Sequence, residues 1–368
     1  MHFPKKTIIT AMLSCCIYSF SQAQTTATNT SLKQAYQKDF LIGTALNTAQ
    51  IEKKDAKATA LILQQFNAVT PENCMKAENI HPGWDKYDFN LADKIVAFGK
   101  EHNLAVNGHT LVWHSQLPVF ARKIVSVDSF KTFFTNHIST IASRYSGKVF
   151  SWDVVNEALN EDGTMRKSIF LEKLGQDYVT EAFRLAQQHA PNTELYYNDY
   201  NNEQPQKRAG CIALVKKVQA AGVRIDGVGI QGHWHLGKLP LRDIEESILA
   251  YHALGLKVMF TEVDIEMLPR SFGGADVNQT MAANPSLNPY KSGIPDSLLQ
   301  QQAKDYESLF KLFLKHQDKI TRVTFWGVHD GQSWLNGWPV PGRTNYPLLF
   351  DRAFAPKPAY HAVLALKN

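Results

Sequence analysis

The sequence has few cysteines and no marked excess of charge of either sign. Four of its 368 residues are cysteines, and Cys15 and Cys16 lie close to the N-terminus. The remaining pair, Cys74 and Cys211, is too sparse for a disulfide scaffold in a chain of this length, and we expect two buried free thiols. The formal net charge is +5 and the basic residues are spread along the chain. Charge therefore indicates neither a nucleic-acid partner nor a membrane-surface partner.

Long apolar runs are missing beyond the N-terminus, so the sequence predicts no membrane span. The first apolar stretch, Thr7–Phe20, follows Lys5 and Lys6 and is too short to cross a bilayer. Ser21-Gln22-Ala23 then has the small-x-small pattern of a cleavage site. We therefore predict an export signal peptide and a periplasmic, cell-surface or secreted protein.

The predicted organisation is a signal peptide over residues 1–23, a polar lead over residues 24–31 and one catalytic domain over residues 32–368. A buried N-terminal helix is the alternative to the signal peptide. Lipid attachment at Cys15 or Cys16 is a weaker alternative, because Met12-Leu13-Ser14 makes a poor lipobox. No Pro- or Ser-rich linker divides the remaining chain, which favours a single domain.

Short β-branched or aromatic runs alternate with amphipathic segments along the rest of the chain. The predicted strands are Phe40–Leu46, Phe66–Glu72, Ala105–Trp113, Val149–Asn156, Glu194–Asn198, Gly227–Gly232, Lys257–Thr261 and Arg322–Trp326. Eight strand–helix units are typical of a parallel sheet closed into a (β/α)₈ TIM barrel with enlarged βα loops. A doubly wound open sheet is the alternative, but no nucleotide-type glycine-rich turn follows the first strand. A long irregular loop is predicted between Glu266 and Pro295.

Polar side chains terminate the predicted strands, and in such a barrel chemistry sits at the carboxyl ends of the strands. Glu157 and Glu262 each follow a strongly apolar run, where an unpaired carboxylate is costly to bury. Cleavage of a glycosidic bond requires two carboxyl groups that face each other: one is protonated and donates its proton, and the other stays ionised. Flat aromatic side chains that suit sugar rings accompany them, namely Trp113, Trp326, Trp334, Trp338 and Tyr200.

Two other classes of function remain open on the residues alone. His233 and His235 form an HxH pair on one strand face, which is also an arrangement of zinc ligands, so a metal-dependent barrel hydrolase is one alternative. A catalytically silent glycan-binding protein is the other, although it would be expected to lack one of the two glutamates. A cellulase or mixed-linkage glucanase would use the same pair of carboxylates.

Several blocks of the sequence resemble glycoside hydrolase family 10, the endo-β-1,4-xylanases. Trp152–Ala158 resembles the acid/base motif of that family, and Thr261–Asp264 resembles its nucleophile motif. Further blocks follow in the family's order: Thr70-Pro71-Glu72-Asn73, Gly108–His114, Gly229–His233, Pro347–Asp351 and Lys357–Tyr360. The similarity covers about Leu32 to Leu366, and several blocks at consistent spacing are more specific than one motif.

The resemblance implies retaining hydrolysis of xylan and xylo-oligosaccharides by double displacement, with no metal or organic cofactor. Glu157 would be the acid/base, Glu262 the nucleophile and Asn156 the partner of the sugar 2-hydroxyl. His233 would orient Glu262, with Asp264 behind it. Substrate on the glycone side would contact Glu72, Asn73, Lys76, His109, Trp113, Gln231, Trp326 and Trp334. Asn198 and Tyr200 would face the aglycone side, and we expect a monomer.

Overall fold

The computed structural model describes residues 1–2, 30–271 and 273–367. Nearly all of the predicted signal peptide, residues 1–23, and of the lead, residues 24–31, lies outside the described residues, so both stay predictions. Ser31–Asn368 form one compact unit. No helix within the described ranges is both long and apolar enough to cross a membrane.

Parallel strands form the centre of this unit. In chain order the described residues contain β1 (Leu41–Leu46), β2 (Ala68–Pro71), β3 (Ala105–Trp113), β4 (Ser151–Asn156), β5 (Glu194–Asp199), β6 (Gly227–Ile230), β7 (His233–His235), β8 (Lys257–Glu266) and β9 (Ile320–Phe325). Neighbouring strands follow the order β6-β5-β4-β3-β2-β1-β9-β8, and β6 pairs with β8 to close the sheet. The predicted (β/α)₈ barrel is therefore confirmed.

Helices connect the strands on the outside of the barrel. They are α1 (Leu32–Ala35), α2 (Thr48–Ile51), α3 (Ala56–Gln65), α4 (Ala77–Ile80), α5 (Asn90–His102), α6 (Val119–Arg122), α7 (Val127–Tyr145), α8 (Ile169–Leu174), α9 (Tyr178–His189), α10 (Pro205–Ala220), α11 (Leu241–His252), α12 (Asp296–Lys315) and α13 (Pro358–Ala365). In α9 the buried side chains recur with helical spacing, from Val179 through Ala182 and Phe183 to Ala186. That spacing gives the helix one apolar face, which packs on β4 and α7.

Close packing between β3 and β4 explains why a glycine lies in the middle of β3. Gly108 pairs with Trp152 across the two parallel strands. A methyl group on Gly108 would lie 2.2 Å from Cε3 of Trp152, so only glycine leaves room for the fully buried indole. Cys74 and Cys211 are buried and unbonded, as predicted.

The seventh barrel strand is longer than the sequence predicts. The prediction ended it at Thr261, whereas β8 continues to Glu266. The extension exists because β7 pairs with it in parallel, His233 opposite Asp264 and His235 opposite Glu266. Glu262 therefore lies inside a strand rather than at its end, and Glu262, Asp264 and Glu266 share one face because side chains alternate along a strand.

Candidate functional site

A small polar cavity of about 120 Å³ opens at the carboxyl ends of the barrel strands. It is lined by Glu72, Asn73, Lys76, His109, Trp113, Gln116, Asn156, Glu157, Gln231, His233, Glu262, Ala275, Val277, Trp326 and Trp334. Twelve of these are residues that the sequence predicted as a site, drawn from separate loops and strands along the chain. The barrel thus brings the predicted acid/base and the predicted nucleophile to one cavity.

Glu157 is the first residue after β4, and its backbone takes a left-handed conformation with a φ of 58°. A non-glycine residue there costs about 1–3 kcal/mol and persists only where its surroundings hold it. Two contacts hold it here: the Glu157 amide donates to the carbonyl of Asn198 at 2.9 Å, and Arg166 Nε donates to the carbonyl of Glu157 at 3.2 Å. This strained turn directs the carboxyl group into the cavity.

The carboxyl group of Glu157 is buried among hydrogen-bond donors. Trp113 Nε1 donates to Oε2 at 2.8 Å, and Gln231 Nε2 and Asn156 Nδ2 donate to Oε1 at 3.0 and 3.1 Å. Burial raises the pKa of Glu157 because it disfavours the charged form, and the negative charge of Glu262 raises it further. The donors from Gln231 and Trp113 act in the opposite direction, but burial outweighs them.

Glu262 has the opposite electrostatic balance in the same cavity. Its Oε2 lies 3.3 Å from His233 Nε2, and its Oε1 accepts from Asn198 Nδ2 at 2.9 Å. Burial alone would raise the pKa of Glu262, yet the hydrogen bond from His233, reinforced by other polar neighbours, holds that pKa below its usual range. The two carboxyl groups therefore differ in the direction of their pKa shifts.

His233 is the main cause of the lowered pKa of Glu262. Its Nδ1 lies 3.0 Å from Oδ1 of Asp264, so the ring is held between two carboxylates. Burial alone would lower the pKa of His233, but Asp264 and Glu262 outweigh it and raise the pKa to about 10. The imidazole is then a cation at neutral pH, with both ring nitrogens donating.

Replacing His233 by asparagine should move the pKa of Glu262 from below to above the ordinary glutamate value. With the cation gone, burial, which is the largest influence on Glu262 and raises its pKa, is opposed mainly by His109 and by the hydrogen bond from Asn198. The measurement is a ¹³C NMR titration of labelled glutamate carboxyl groups. His235→Asn is the matched control, because His235 lies on the same short strand but contacts Glu266 and Arg270. A Glu262 pKa that stays low in His233→Asn would contradict this account.

Amide side chains link the two glutamates. Asn198 Nδ2 donates both to Glu262 Oε1 and, at 2.8 Å, to Asn156 Oδ1. Thr261 Oγ1 donates to Asn198 Oδ1 at 2.6 Å, which fixes the orientation of that amide. Asn198 was predicted on the aglycone side, but it is fully buried and does not line the cavity. Asn198 therefore positions the carboxyl group of Glu262 directly and reaches that of Glu157 only through Asn156.

One wall of the cavity is polar and organised around a buried lysine. Lys76 Nζ donates to Asn73 Oδ1 at 3.2 Å and to Gln116 Oε1 at 3.0 Å, and it lies 4.7 Å from the centre of the Trp113 ring. Burial lowers the pKa of Lys76 and raises the pKa of Glu72, while their mutual attraction opposes both shifts. These groups offer donors and acceptors suited to hydroxyl groups.

The aromatic wall is built from Trp326 and Trp334. Trp334 Nε1 donates to Asp264 Oδ2 at 2.8 Å, and Trp338 stacks behind it with ring centres 4.5 Å apart. Trp326 lies edge-on to His109, whose Nδ1 is 2.9 Å from Asp153 Oδ2. Trp338, which the sequence placed among the cleft aromatics, does not line the cavity and instead supports Trp334.

The two histidines of the HxH pair contact different partners. His233 is occupied by Glu262 and Asp264, while His235 Nε2 accepts from Arg270 Nε at 2.9 Å. Within residues 30–271 and 273–367, no group of three or more His, Cys, Asp or Glu side chains is arranged to hold a metal ion. The donor geometry around the pair therefore does not favour the metal-dependent alternative.

Sequence reasoning missed four residues of the site. Gln116 contacts Lys76 and Asn73, and its position three residues after Trp113 in a polar run was an available signal. Arg166 binds the Glu157 carbonyl from a loop without any local motif. Ala275 and Val277 come from the loop predicted between Glu266 and Pro295, and no spacing rule points to them.

Tyr200, predicted as an aglycone contact, is only 4% exposed and does not line the cavity.

Comparison with known proteins is consistent with this geometry. The sequence profile of glycosyl hydrolase family 10 matches residues 31–366. An endo-1,4-β-xylanase A from Xylanibacter ruminicola is 46% identical over 343 residues, which cover 91% of this chain and 93% of the relative. A β-1,4-xylanase from Dictyoglomus thermophilum is 39% identical over 338 residues, covering 91% and 90%. The structure of a family 10 endoxylanase from a sugarcane soil metagenome superposes with a TM-score of 0.87 at 42% identity, covering 92% and 100%.

Proposed function

The chain belongs to glycosyl hydrolase family 10 and is a glycoside hydrolase, and from that premise we propose that it is an endo-1,4-β-xylanase acting with retention. The observation that carries the proposal is the pair Glu157 and Glu262. Both carboxyl groups line one cavity, are linked through the contact of Asn198 with Asn156, and have pKa values shifted in opposite directions. Similarity to proteins named as xylanases supports xylan as the substrate.

In the first step Glu262 attacks the anomeric carbon of the sugar while Glu157 gives its proton to the leaving glycosidic oxygen. The C–O bond to the leaving sugar breaks, and a glycosyl ester on Glu262 forms. The low pKa of Glu262 keeps the attacking oxygen ionised, and the raised pKa of Glu157 keeps the proton available.

In the second step water replaces the leaving sugar. Glu262 is now neutral as an ester, which removes one of the charges that raised the pKa of Glu157. Glu157 can therefore accept a proton from the water that attacks the anomeric carbon, and Glu262 leaves as a carboxylate. Two inversions at one carbon give net retention.

Sugar recognition is assigned to the two walls of the cavity. Glu72, Asn73, Lys76 and Gln116 present hydrogen-bonding groups to hydroxyls, and the faces of Trp326 and Trp334 suit the C–H faces of sugar rings. His109, Trp113 and Gln231 border the carboxyl groups and complete the site. Asn156, between Glu157 and Gln231, is the group proposed to meet the 2-hydroxyl.

The stereochemistry of the first product tests the mechanism, and two polymers test the substrate. Proton NMR during hydrolysis of xylohexaose should show the β-anomer of the new reducing end first, with the α-anomer appearing only by mutarotation. The kcat/KM on xylan should exceed that on carboxymethylcellulose by at least about 100-fold, a factor that a few kcal/mol of binding in the transition state supplies. An initial α-anomer would contradict retention, and a preference for carboxymethylcellulose would identify a cellulase instead.

A further inference from the structure

A segment of the long loop after β8 crosses the cavity opening. We name Gly273–Asn278 the strap. Ala275 and Val277 line the cavity together with Glu157 and Glu262, and Ala275 is buried. The strap begins near the wall made by β8, because the carbonyl of Gly274 accepts from Arg270, whose guanidinium is paired with Glu266 at 3.0 Å.

The far end of the strap is fastened to the opposite wall by two contacts. Arg166 Nη1 lies 3.2 Å from Asp276 Oδ2, with the two side chains only 14% and 17% exposed. Asn278 Nδ2 donates to Ser115 Oγ at 2.9 Å. Arg166 comes from the loop after β4 and Ser115 from the loop after β3, so the strap joins one side of the barrel mouth to the other.

The strap also covers the aromatic ring of Tyr200. Gly274 lies so close that a methyl group on it would be 3.2 Å from Tyr200 Cε2. Lys207 Nζ lies 3.7 Å from the centre of the same ring, and Arg166 Nη2 donates to the Tyr200 hydroxyl at 2.8 Å. With these contacts Tyr200 is only 4% exposed.

The covered region is on the leaving-group side of the reacting bond. The acid/base must stand beside the leaving oxygen, and Arg166 joins the Glu157 carbonyl, the Tyr200 hydroxyl and Asp276 of the strap. Lys76 and the aromatic wall, by contrast, belong to the side assigned to the glycone. A xylan chain that runs from the glycone side past Glu157 would meet the strap, because Ala275 and Val277 line the same cavity.

We propose that the strap Gly273–Asn278 is an aglycone gate that selects against long leaving groups until its contacts with Arg166 and Ser115 break. The proposal rests on the proposed xylanase function. A substrate without a sugar on the leaving side reacts under the closed strap, whereas polymeric xylan reacts only after the strap has moved. The contacts Asp276–Arg166 and Asn278–Ser115 therefore determine the ratio of kcat/KM on xylan to kcat/KM on a substrate without a leaving sugar.

The double variant Asp276→Ala/Asn278→Ala tests the gate, since it removes both contacts and keeps Arg166 and Ser115. We expect kcat/KM on xylan to rise about tenfold, the effect of losing hydrogen bonds of ordinary net strength that hold the closed state. The kcat/KM on β-xylobiosyl fluoride, whose leaving group is one atom, should change by less than twofold. Gln279→Ala/Thr280→Ala is the matched control, because both of these side chains are exposed and lie directly beyond the strap.

Two outcomes overturn the gate. A fall in kcat/KM on xylan in the strap variant would mean that the strap binds the leaving group instead of excluding it. If the ratio of kcat/KM on xylan to kcat/KM on the fluoride is unchanged, the strap does not select between the two substrates. A wild-type protein that does not hydrolyse xylan would instead refute the proposed function. Activity on the fluoride also reports whether the variant has folded.

Hydrogen exchange supplies a readout independent of turnover. In the inactive variant Glu262→Gln, xylohexaose should speed amide exchange in a peptide that spans the strap, because the chain has to displace it. Xylobiose, which fills only the glycone side, should leave this exchange unchanged. Strap exchange that slows with xylohexaose would overturn the gate.

Discussion

Alanine in place of Glu262 should lower kcat on xylan by about 10⁵-fold, a loss of the size seen when a covalent nucleophile is removed. The other two carboxyl groups that line the cavity are poor replacements: burial raises the pKa of both Glu157 and Glu72, and Glu157 is also bonded to Trp113, Gln231 and Asn156. The measurement is steady-state hydrolysis of xylan by reducing-end assay, with the thermal midpoint recorded for each variant.

Glu203→Gln is the matched control for this loss. Glu203 is likewise buried, and it accepts from Trp234 Nε1 at 2.9 Å, but it does not line the cavity. The amide oxygen of glutamine can still accept that hydrogen bond, so kcat should stay within about threefold of wild type. With Glu262→Ala, azide and an activated aryl xylobioside should yield the α-azide, because azide now attacks directly. Near-normal turnover of Glu262→Ala would remove Glu262 from the mechanism.

The barrel and its pair of glutamates could be predicted because they follow from local signals. Fully buried parallel strands have short β-branched or aromatic runs, and β3 begins and ends at the predicted residues, Ala105–Trp113. An unpaired carboxylate directly after such a run is costly to bury, and it was the occurrence of two such residues, Glu157 and Glu262, that favoured a catalytic pair over two structural groups. Barrel topology then places strand ends distant in sequence around one mouth, so the cavity follows from the fold.

The other features of the site, such as the role of Asn198 and the length of β8, depend on contacts between distant segments that no local pattern encodes. Asn198 follows the same kind of apolar run as Asn156, yet its amide does not line the cavity because Thr261 and Glu262 of β8 offer it partners. The extension of β8 beyond Thr261 depends on the three residues of β7. Tyr200 is buried by contacts from Arg166 and Lys207 and also from Gly274, more than seventy positions further along the chain. A sequence predicts which side chains are available for such contacts, but packing decides which of them form.

Alanine in place of Glu157 should lower kcat on xylan about 10³-fold to 10⁴-fold, the upper part of the range for loss of a general acid, because a sugar alkoxide leaves poorly without a proton. On a dinitrophenyl xylobioside the first step needs no proton, so the glycosyl ester on Glu262 should form quickly and accumulate. A burst of dinitrophenol followed by slow turnover, in stopped-flow absorbance, is the expected result.

Azide and pH then identify Glu157 as the acid/base. In Glu157→Ala azide should attack the ester and give the β-azide, whereas the α-azide would mean that the nucleophile was the residue lost. In the wild type, activity requires Glu262 ionised and Glu157 protonated. The lowered pKa of Glu262 therefore sets the acidic limb of kcat/KM and the raised pKa of Glu157 the basic limb. In Glu157→Ala the basic limb should disappear on the activated substrate while the acidic limb remains, and a basic limb that persists would assign the proton to another group.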